Sequence, residues 1–467
     1  MLTSQLVLPP RAASLASLST RVGLLGPAAF AVLWASSIAH ANPAAEVPSA
    51  ADPGNPIDLH LRLDYEYQID RSLLTRERVG AVGTDPLSGI SKSRDLAFHQ
   101  YRHVLTPRAE LGVYHDTYLS FALPIIIAQA RELSLATGVD RANSSTIDDG
   151  FLPPDGFDAR DPGTAPPGDL VFRGASRGGL DQLHLGLAAA PMSQRRDDTK
   201  PTWKIGAELR LSVGKIMKFD PMSPGSETGV SKGVHEVRAF TSVDRTFDRF
   251  EGWFELFWQA PIATKSGSLF KEPGLGATNT SLSQQAGVSF GIEAYALDDK
   301  QNGNRISIDA GSRIVGHFEG RDYTEMWEVF TYAGDTRLGG PLILDADPLE
   351  TGVQPQSHPG ISNVENYLET AGRFAVRASL GPKVRFAALV DVTWKTDHAI
   401  TFADAGVDLP TCGGNTTNCE DGSNDLVNPG TKEVNPLHAP KIDLVGHRYF
   451  SEDNFGVIIG LEGQVLF

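Results

Sequence analysis

The chain has 467 residues, with 41 Lys and Arg residues against 57 Asp and Glu residues, a formal net charge of −16 and two cysteines. An acidic chain without a basic block argues against a nucleic-acid partner, because phosphate binding needs clustered cations. Two cysteines exclude a disulfide-rich scaffold and a four-cysteine zinc site. Beyond the N-terminus, no run of about 18 apolar residues exists, which excludes a bundle of membrane helices. A membrane barrel stays open, because its apolar residues alternate with polar ones.

The N-terminal region has the pattern of an export signal. Residues 1–41 contain two arginines and no acid, an apolar stretch at 22–36, and the small-x-small sequence Ala-His-Ala at 39–41. This pattern predicts a cleaved signal peptide over residues 1–41. A single membrane anchor is the alternative, but the stretch is short and interrupted by Pro27. Residues 42–56, rich in Pro and Ala, are predicted to form a flexible periplasmic leader.

A period-two alternation of apolar and polar residues runs through the rest of the chain. In residues 57–69 every odd position is apolar and every even position is polar. A split of this length suits a membrane strand of about 9–11 residues better than an ordinary strand of about 5–6. The pattern recurs in ten segments between 97 and 397 and again from 455. We therefore predict an all-β fold, a transmembrane antiparallel β-barrel of about twelve strands (about 10–14) over residues 57–467.

The connections between these segments alternate in length. Short links lie at 114–116, 191–201, 244–248, 298–304 and 381–383. Long polar links lie near 71–96, 131–180, 214–234, 262–284, 319–363 and 398–454. Short turns on one side and long loops on the other predict a barrel with short periplasmic turns and long extracellular loops.

Three segments depart from the simple alternation. Pro107 and Pro124 fall within strand-like segments, and a proline removes a ladder hydrogen bond, so both segments are predicted to bend or shift register. Residues 323–332 fit either a strand or a short helix folded against the pore mouth.

The C-terminal strand carries the most specific signal. Its apolar residues alternate and the final residue is aromatic: Phe455, Val457, Ile459, Leu461, Val465 and Phe467. Here the chain resembles the Gram-negative outer-membrane β-barrel class, although Gly463 interrupts the pattern. The resemblance implies an outer-membrane location, surrounding lipid, and recognition of this strand by the barrel-assembly machinery. It points to no specific family. A secreted soluble β-sandwich or solenoid is the alternative fold, but it would be expected to have shorter strands.

The polar faces of the strands would line the lumen of such a barrel. These positions are Asp58, Arg62, Asp64, Glu66, Arg102, Arg108, Glu110, Glu208, Arg210, Arg238, Glu251, Glu255, Glu293, Asp309, Arg313, Arg373, Arg377, Arg385, Asp391 and Glu462. Acids and bases are nearly balanced, whereas strong ion selectivity needs an excess of one sign. The balance suits either an ion-paired network that fills the interior or a narrow polar passage.

The sequence predicts a porin-like passage for small polar solutes. One alternative is a structural or surface-binding barrel with a filled lumen and acidic extracellular loops, and a third is an outer-membrane barrel enzyme. We expect no enzyme and assign no catalytic, cofactor or metal residue. Asp58 and His60 are interpreted as a wall pair, and His398 as a loop residue. Arg131, Arg141 and Arg160 are candidates for pairing with lipid phosphates.

The two cysteines lie close together in the last long loop. Cys412 and Cys419 are separated by a polar, glycine-containing stretch that can turn back on itself. Export passes through an oxidising compartment, where neighbouring thiols pair. We therefore predict a disulfide between them that orders the loop.

Overall fold

The computed structural model describes residues 47–50, 58–79, 89–271, 282–299, 301–346, 351–403 and 437–467. The predicted signal peptide and both cysteines lie outside these residues, so the cleavage and the disulfide stay predictions.

Twelve long strands form a closed antiparallel barrel. They are β1 (Leu59–Val79), β2 (Ile90–Tyr114), β3 in two segments (Thr117–Ala122 and Ile125–Leu135), β4 (Gln182–Met192), β5 (Thr202–Ser212), β6 (Val234–Phe247), β7 (Phe250–Thr264), β8 (Gln285–Asp299), β9 (Asn304–His317), β10 (Tyr367–Leu380), β11 (Val384–Lys395) and β12 (Tyr449–Leu466). Each strand pairs with the next, and β12 closes on β1 from His60–Leu466 to Arg76–Tyr449. The predicted twelve-stranded barrel is confirmed, and the soluble sandwich or solenoid is wrong.

The outer wall is an apolar band. Along most of the wall the apolar set faces outward and the polar set is buried or half-buried, whereas residues 91–94 at the start of β2 are polar and exposed. Exposed outward side chains include Leu61, Leu63, Ile205, Phe254, Leu256, Phe290, Ile292, Ile308, Phe374, Val376, Phe386, Leu461 and Val465. A soluble protein rarely exposes an apolar area of this extent, whereas a membrane barrel places it against lipid.

The first hairpin extends farther than the sequence indicated. The region 71–96 was predicted to be a loop, but β1 continues to Val79 and β2 begins at Ile90. The prediction was wrong because residues 75–78 are all polar, which hid a strand. Arg76 is nonetheless fully buried, against loop residues distant in sequence. The final strand likewise begins at Tyr449, six residues before the predicted start.

The two prolines behave differently. Pro124 separates the two segments of β3, as predicted. Pro107 lies within the continuous β2 and is opposite Leu63, while the ladder between β2 and β3 shifts register at His103 and Val104. The second segment of β3 pairs with short strands from the following loop instead of β4.

Short elements occur in the long loops. The short strands are Phe157–Asp158, Leu170–Arg173, Arg177–Leu180, Gly320–Asp322, Leu344–Asp345, Pro355–Gln356, Ser362–Val364 and His398–Ala399. The helices are α1 (Ser145–Asp148), α2 (Trp327–Ala333) and α3 (Pro440–Asp443), with 3-10 turns at Pro224–Ser226 and Leu269–Lys271. Residues 323–332 therefore contain a helix, the second of the two predicted alternatives. Within the described ranges, every helix is too short or too polar to cross a membrane.

Candidate functional site

The interior of the barrel has three levels. Toward the short turns, ionised side chains fill the lumen; we call this the polar layer. Above it lies the central cavity, of about 300 Å³. The long loops then fold over the barrel mouth and form an apolar cap around Trp327 and Phe330, both fully buried.

The polar layer consists largely of the residues that the sequence placed on the lumen face. None of those twenty predicted residues is exposed, and twelve of them are buried. Three ion pairs join neighbouring strands: Arg238 with Glu255 (2.5 Å), Arg377 with Asp309 (2.7 Å) and Arg373 with Asp391 (2.9 Å). Two more join residues two positions apart on one strand: Arg210 with Glu208 (2.6 Å) and Arg62 with Asp64 (3.1 Å). Arg313 pairs instead with Glu369, which was not among the twenty. Such pairing stiffens the wall and narrows the lumen without an excess of either charge.

The central cavity is lined by both signs of charge. Four of the predicted residues reach it: Glu66, Arg102, Arg108 and Arg210. Lys395 reaches it from the polar face of β11. Further charged residues come from positions that the sequence left in loops or did not single out: Asp70, Arg131, Asp181, Lys232, Asp322 and Glu325. The cavity therefore depends on the folded loops as much as on the strands.

Arg131 shows why these residues were missed. It was a candidate for contacts with lipid phosphates, but it is only 7% exposed and faces the lumen. Its Nη2 donates to the carbonyl oxygen of Thr324 (2.7 Å), and its guanidinium lies over the rings of Phe98 and Trp327. The signal available in the sequence was its spacing. Arg131 lies an even number of residues from a polar residue earlier on β3, which places both on the same face of the strand. The contact with Thr324, far away in sequence, was not predictable from local pattern.

The cap is held to the barrel by buried polar groups. Asp95, on β2, accepts hydrogen bonds from the backbone N–H groups of Ser145 (3.0 Å) and Thr146 (2.9 Å). It also accepts from the hydroxyls of Ser144, Ser145 and Thr146. Arg76 donates to three loop carbonyl oxygens and pairs with Asp149. These contacts fix α1 against the top of the β1–β2 hairpin.

A second connection joins the cap helix α2 to the wall. Arg177 and Glu328 form a buried ion pair at 2.7 Å, and Arg177 also donates to the carbonyl oxygens of Glu227 and Gly229. The Arg177 guanidinium lies 5.0 Å from the ring centre of Trp327. Removal of one member of such a pair leaves an uncompensated buried charge, so it holds α2 in place.

Three titratable side chains line a small pocket in the cap: Arg321, His358 and Asp443. Burial lowers the pKa of His358 to about 3, and its Nδ1 accepts a hydrogen bond from the N–H of Gly360 (2.9 Å). Burial also raises the pKa of Asp443 to about 6 and lowers the pKa of Arg321 to about 10. These groups couple the packing of the cap to pH.

The polar groups weighed as catalytic candidates have structural contacts. His60 Nε2 lies 3.0 Å from Asp58 Oδ1, and Asp58 Oδ2 accepts from the N–H of Ser49, within the predicted leader. His398 stacks on Tyr367 with ring centres 4.1 Å apart and lies at the cavity wall rather than in a loop surface. Among the described residues, no group of three His, Cys, Asp or Glu side chains is placed to hold a metal ion.

Comparisons with known proteins find outer-membrane barrels in solved structures. The chain is similar to the COG4313 outer membrane channel from Pseudomonas putida F1, with 10% identity, TM-score 0.36, and coverage of 89% of this chain and 100% of that chain. A Pseudomonas aeruginosa FadL homologue has 9% identity, TM-score 0.30, and coverage of 90% and 96%. The outer membrane protease OmpT from Escherichia coli has 6% identity, TM-score 0.24, and coverage of 87% and 97%.

No protein-family model matches the chain, and no curated protein matches it. The structural likenesses include both channels and a protease, and at these TM-scores they carry no argument about activity. The fold assignment rests instead on the closed strand order, the apolar outer band and the buried polar faces. On these grounds the chain has the architecture of a twelve-stranded outer-membrane β-barrel, without assignment to a specific family.

Proposed function

We propose that this barrel is a narrow channel for small polar solutes. The observation that carries the proposal is the central cavity, about 300 Å³ in volume and lined by charged side chains of both signs within the lumen. That volume lies at the lower end of the range of small-molecule sites. A barrel with a purely structural interior has no need of a polar cavity of this size, because buried polar groups cost free energy unless they are satisfied.

The passage from the cavity toward the short-turn end runs through the polar layer. Its width is set by side chains rather than by backbone, so rotation of Arg or Glu side chains is enough to change it. Because acids and bases alternate along the wall, the layer offers polar solutes hydrogen-bonding partners of both kinds without strong preference for one sign of charge.

The proposal also includes export and insertion. An N-terminal signal peptide directs the chain to the periplasm, and the barrel-assembly machinery recognises the last strand. Two features support this reading: the pattern of residues 1–41, and the outward-facing apolar residues of β12, such as Leu461, Val465 and Phe467. Lipid then covers the apolar band.

Liposome swelling with the purified full chain tests the proposed passage. We expect slow swelling with a small uncharged solute such as the four-carbon polyol erythritol, and none with a trisaccharide. The double variant Arg373→Ser, Asp391→Ser removes a polar-layer pair and leaves no lone buried charge, so it should admit solutes faster. The matched control is Asp197→Ser, Lys200→Ser, which removes an exposed pair in a short turn and should leave the rate unchanged.

A structural or surface-binding barrel is the second candidate. It is favoured by the dense ion pairing of the polar layer and by the cap over the other mouth. Absence of swelling with the wild type and with the Arg373→Ser, Asp391→Ser variant, both folded, would overturn the channel and favour this alternative.

A further inference from the structure

The central cavity favours one class of ligand, although its positive and negative charges are nearly balanced. We propose that it binds a small organic anion, a solute that carries a carboxylate, with Arg131 as the principal charged contact. This names the solute class of the proposed channel and rests on that function for its role in transport. Binding itself is measurable without any passage.

The bias lies in the polar atoms that lack partners. Among the described residues that line the cavity, the buried side-chain atoms without a hydrogen-bond partner are Ser72 Oγ, Arg102 Nε, Arg108 Nε, Arg131 Nε, His184 Nδ1, Thr324 Oγ1, Thr393 Oγ1 and Asn454 Nδ2. Four of these eight can only donate, and the hydroxyls can donate as well. None of the eight is a carboxylate oxygen. A bound molecule rich in acceptors would satisfy this set, since buried donors without acceptors are costly.

The carboxylates at the cavity wall already have partners. These contacts are Glu66 with Gln68 Nε2 (2.6 Å), Asp70 with Gln100 Nε2 (2.9 Å), Glu236 with Gln182 Nε2 (3.0 Å), Asp322 with Lys232 Nζ (2.7 Å), Glu325 with Ser451 Oγ (2.9 Å) and Asp181 with Arg102 Nη2 (3.6 Å). A cationic solute would have to compete with these contacts. An anion meets donors without a hydrogen-bonded acceptor, although Arg108 Nε lies 3.8 Å from Asp64 Oδ2 and His184 Nδ1 lies 3.6 Å from Glu208 Oε1.

Arg131 is a buried charge at this site without a carboxylate in salt-bridge contact, although Glu328 and Glu325 act on it from farther away. It is 7% exposed, and its hydrogen bond is to a neutral acceptor, the carbonyl oxygen of Thr324. No carboxylate of the described residues lies within 4.0 Å of its guanidinium. The rings of Phe98 and Trp327 stabilise the cation from the side, but they leave Nε–H without an acceptor. Guanidinium and carboxylate match in geometry, so a bound carboxylate would complete this site.

Apolar side chains at the same cavity select an organic anion over an inorganic one. Ile126 and Val230 line it beside the donors. A carboxylate with a compact apolar or weakly polar body would contact both kinds of surface. An inorganic ion would leave the apolar part in contact with water.

Equilibrium dialysis of the purified full chain in detergent micelles tests the proposal, with benzoate and its uncharged isostere benzamide as probes. We expect saturable binding of benzoate, at least tenfold stronger than that of benzamide. Arg131→Gln should weaken benzoate binding at least tenfold, while Arg131→Lys should restore part of it. Asn454→Leu removes an unpartnered donor without touching Arg131 and should weaken binding less. Arg78→Gln is the control, because Arg78 is an exposed arginine that pairs with Asp148 outside the cavity.

Equal binding of benzoate and benzamide, or unchanged benzoate binding in a folded Arg131→Gln variant, would overturn the proposal. The measurement is separate from that of transport. Benzoate binding without any solute passage would leave the anion site standing and remove the channel. Solute passage without charge-dependent binding would leave the channel standing and remove the anion site.

Discussion

Replacement of Asp95 by Ala should loosen the cap while leaving the barrel closed. The carboxylate is 1% exposed and is the acceptor for the backbone N–H groups of Ser145 and Thr146. Each buried donor left without an acceptor costs about 1–3 kcal/mol. Loss of both therefore destabilises the docked α1 by about 2–6 kcal/mol. The hydroxyls add little, because they can rotate; that of Thr146 lies 3.0 Å from the Tyr449 hydroxyl.

Hydrogen exchange measured by mass spectrometry reports this change directly. At the lower limit of about 2 kcal/mol, amides in residues 144–150 should exchange roughly 30-fold faster, whereas amides of the lower strands should not change. Asp95→Asn keeps one acceptor oxygen and should show a smaller increase. The control is Asp140→Ala, whose carboxylate accepts from N–H groups in an exposed turn where water can replace it. Unchanged exchange at 144–150 in a folded Asp95→Ala barrel would refute the role of Asp95.

Three further predictions concern the wall, the cap and assembly. Ile308→Arg, on the outer band, should cost about 2–4 kcal/mol in urea unfolding in lipid vesicles, and Ile308→Leu almost nothing; equal values would disprove the lipid contact. His358 has a pKa of about 3 against an ordinary 6.5, so it contributes cap stability that is full above pH 6.5 and is lost as pH falls toward 3. At pH 5 the loss from His358 is about 2 kcal/mol, read as reduced exchange protection of Trp327–Ala333, and His358→Gln should remove this contribution. The contribution of Asp443, whose raised pKa acts in the opposite direction, should remain. Phe467→Ser should lower the yield of heat-modifiable barrel in cells more than Phe386→Ser, an equally exposed aromatic; equal yields would contradict the assembly signal.

The barrel could be predicted from the sequence because the pattern that specifies it is local. Membrane strands alternate strictly over nine or more residues, and the same rule separates the lipid face from the lumen face. Thus residues 57–69 defined both faces of β1, and the strand count followed from repetition. The end of β1 was not predicted because the upper part of this strand lies in a different environment from the rest. Arg76 is buried there by loop carbonyl oxygens from residues far away in sequence.

The cap and the cavity could largely not be predicted from the sequence, because their contacts also join residues that are far apart in it. Asp95, Arg177 and Glu328 have no periodic neighbours that mark them as buried, and their partners are between about 50 and 150 residues away. Helix α2 was recognised only as one of two alternatives, because a short apolar run fits both periods. Long loops in a barrel are therefore where local patterns lose their predictive value, and here they complete the candidate site.

Single-channel recording in planar bilayers tests the central claim most directly. With the purified wild-type chain, the narrow lumen should give small discrete conductance steps above the protein-free baseline. The Arg373→Ser, Asp391→Ser variant should give larger steps, because it removes a bidentate pair from the polar layer. Folded protein that stays silent in both forms would contradict the channel.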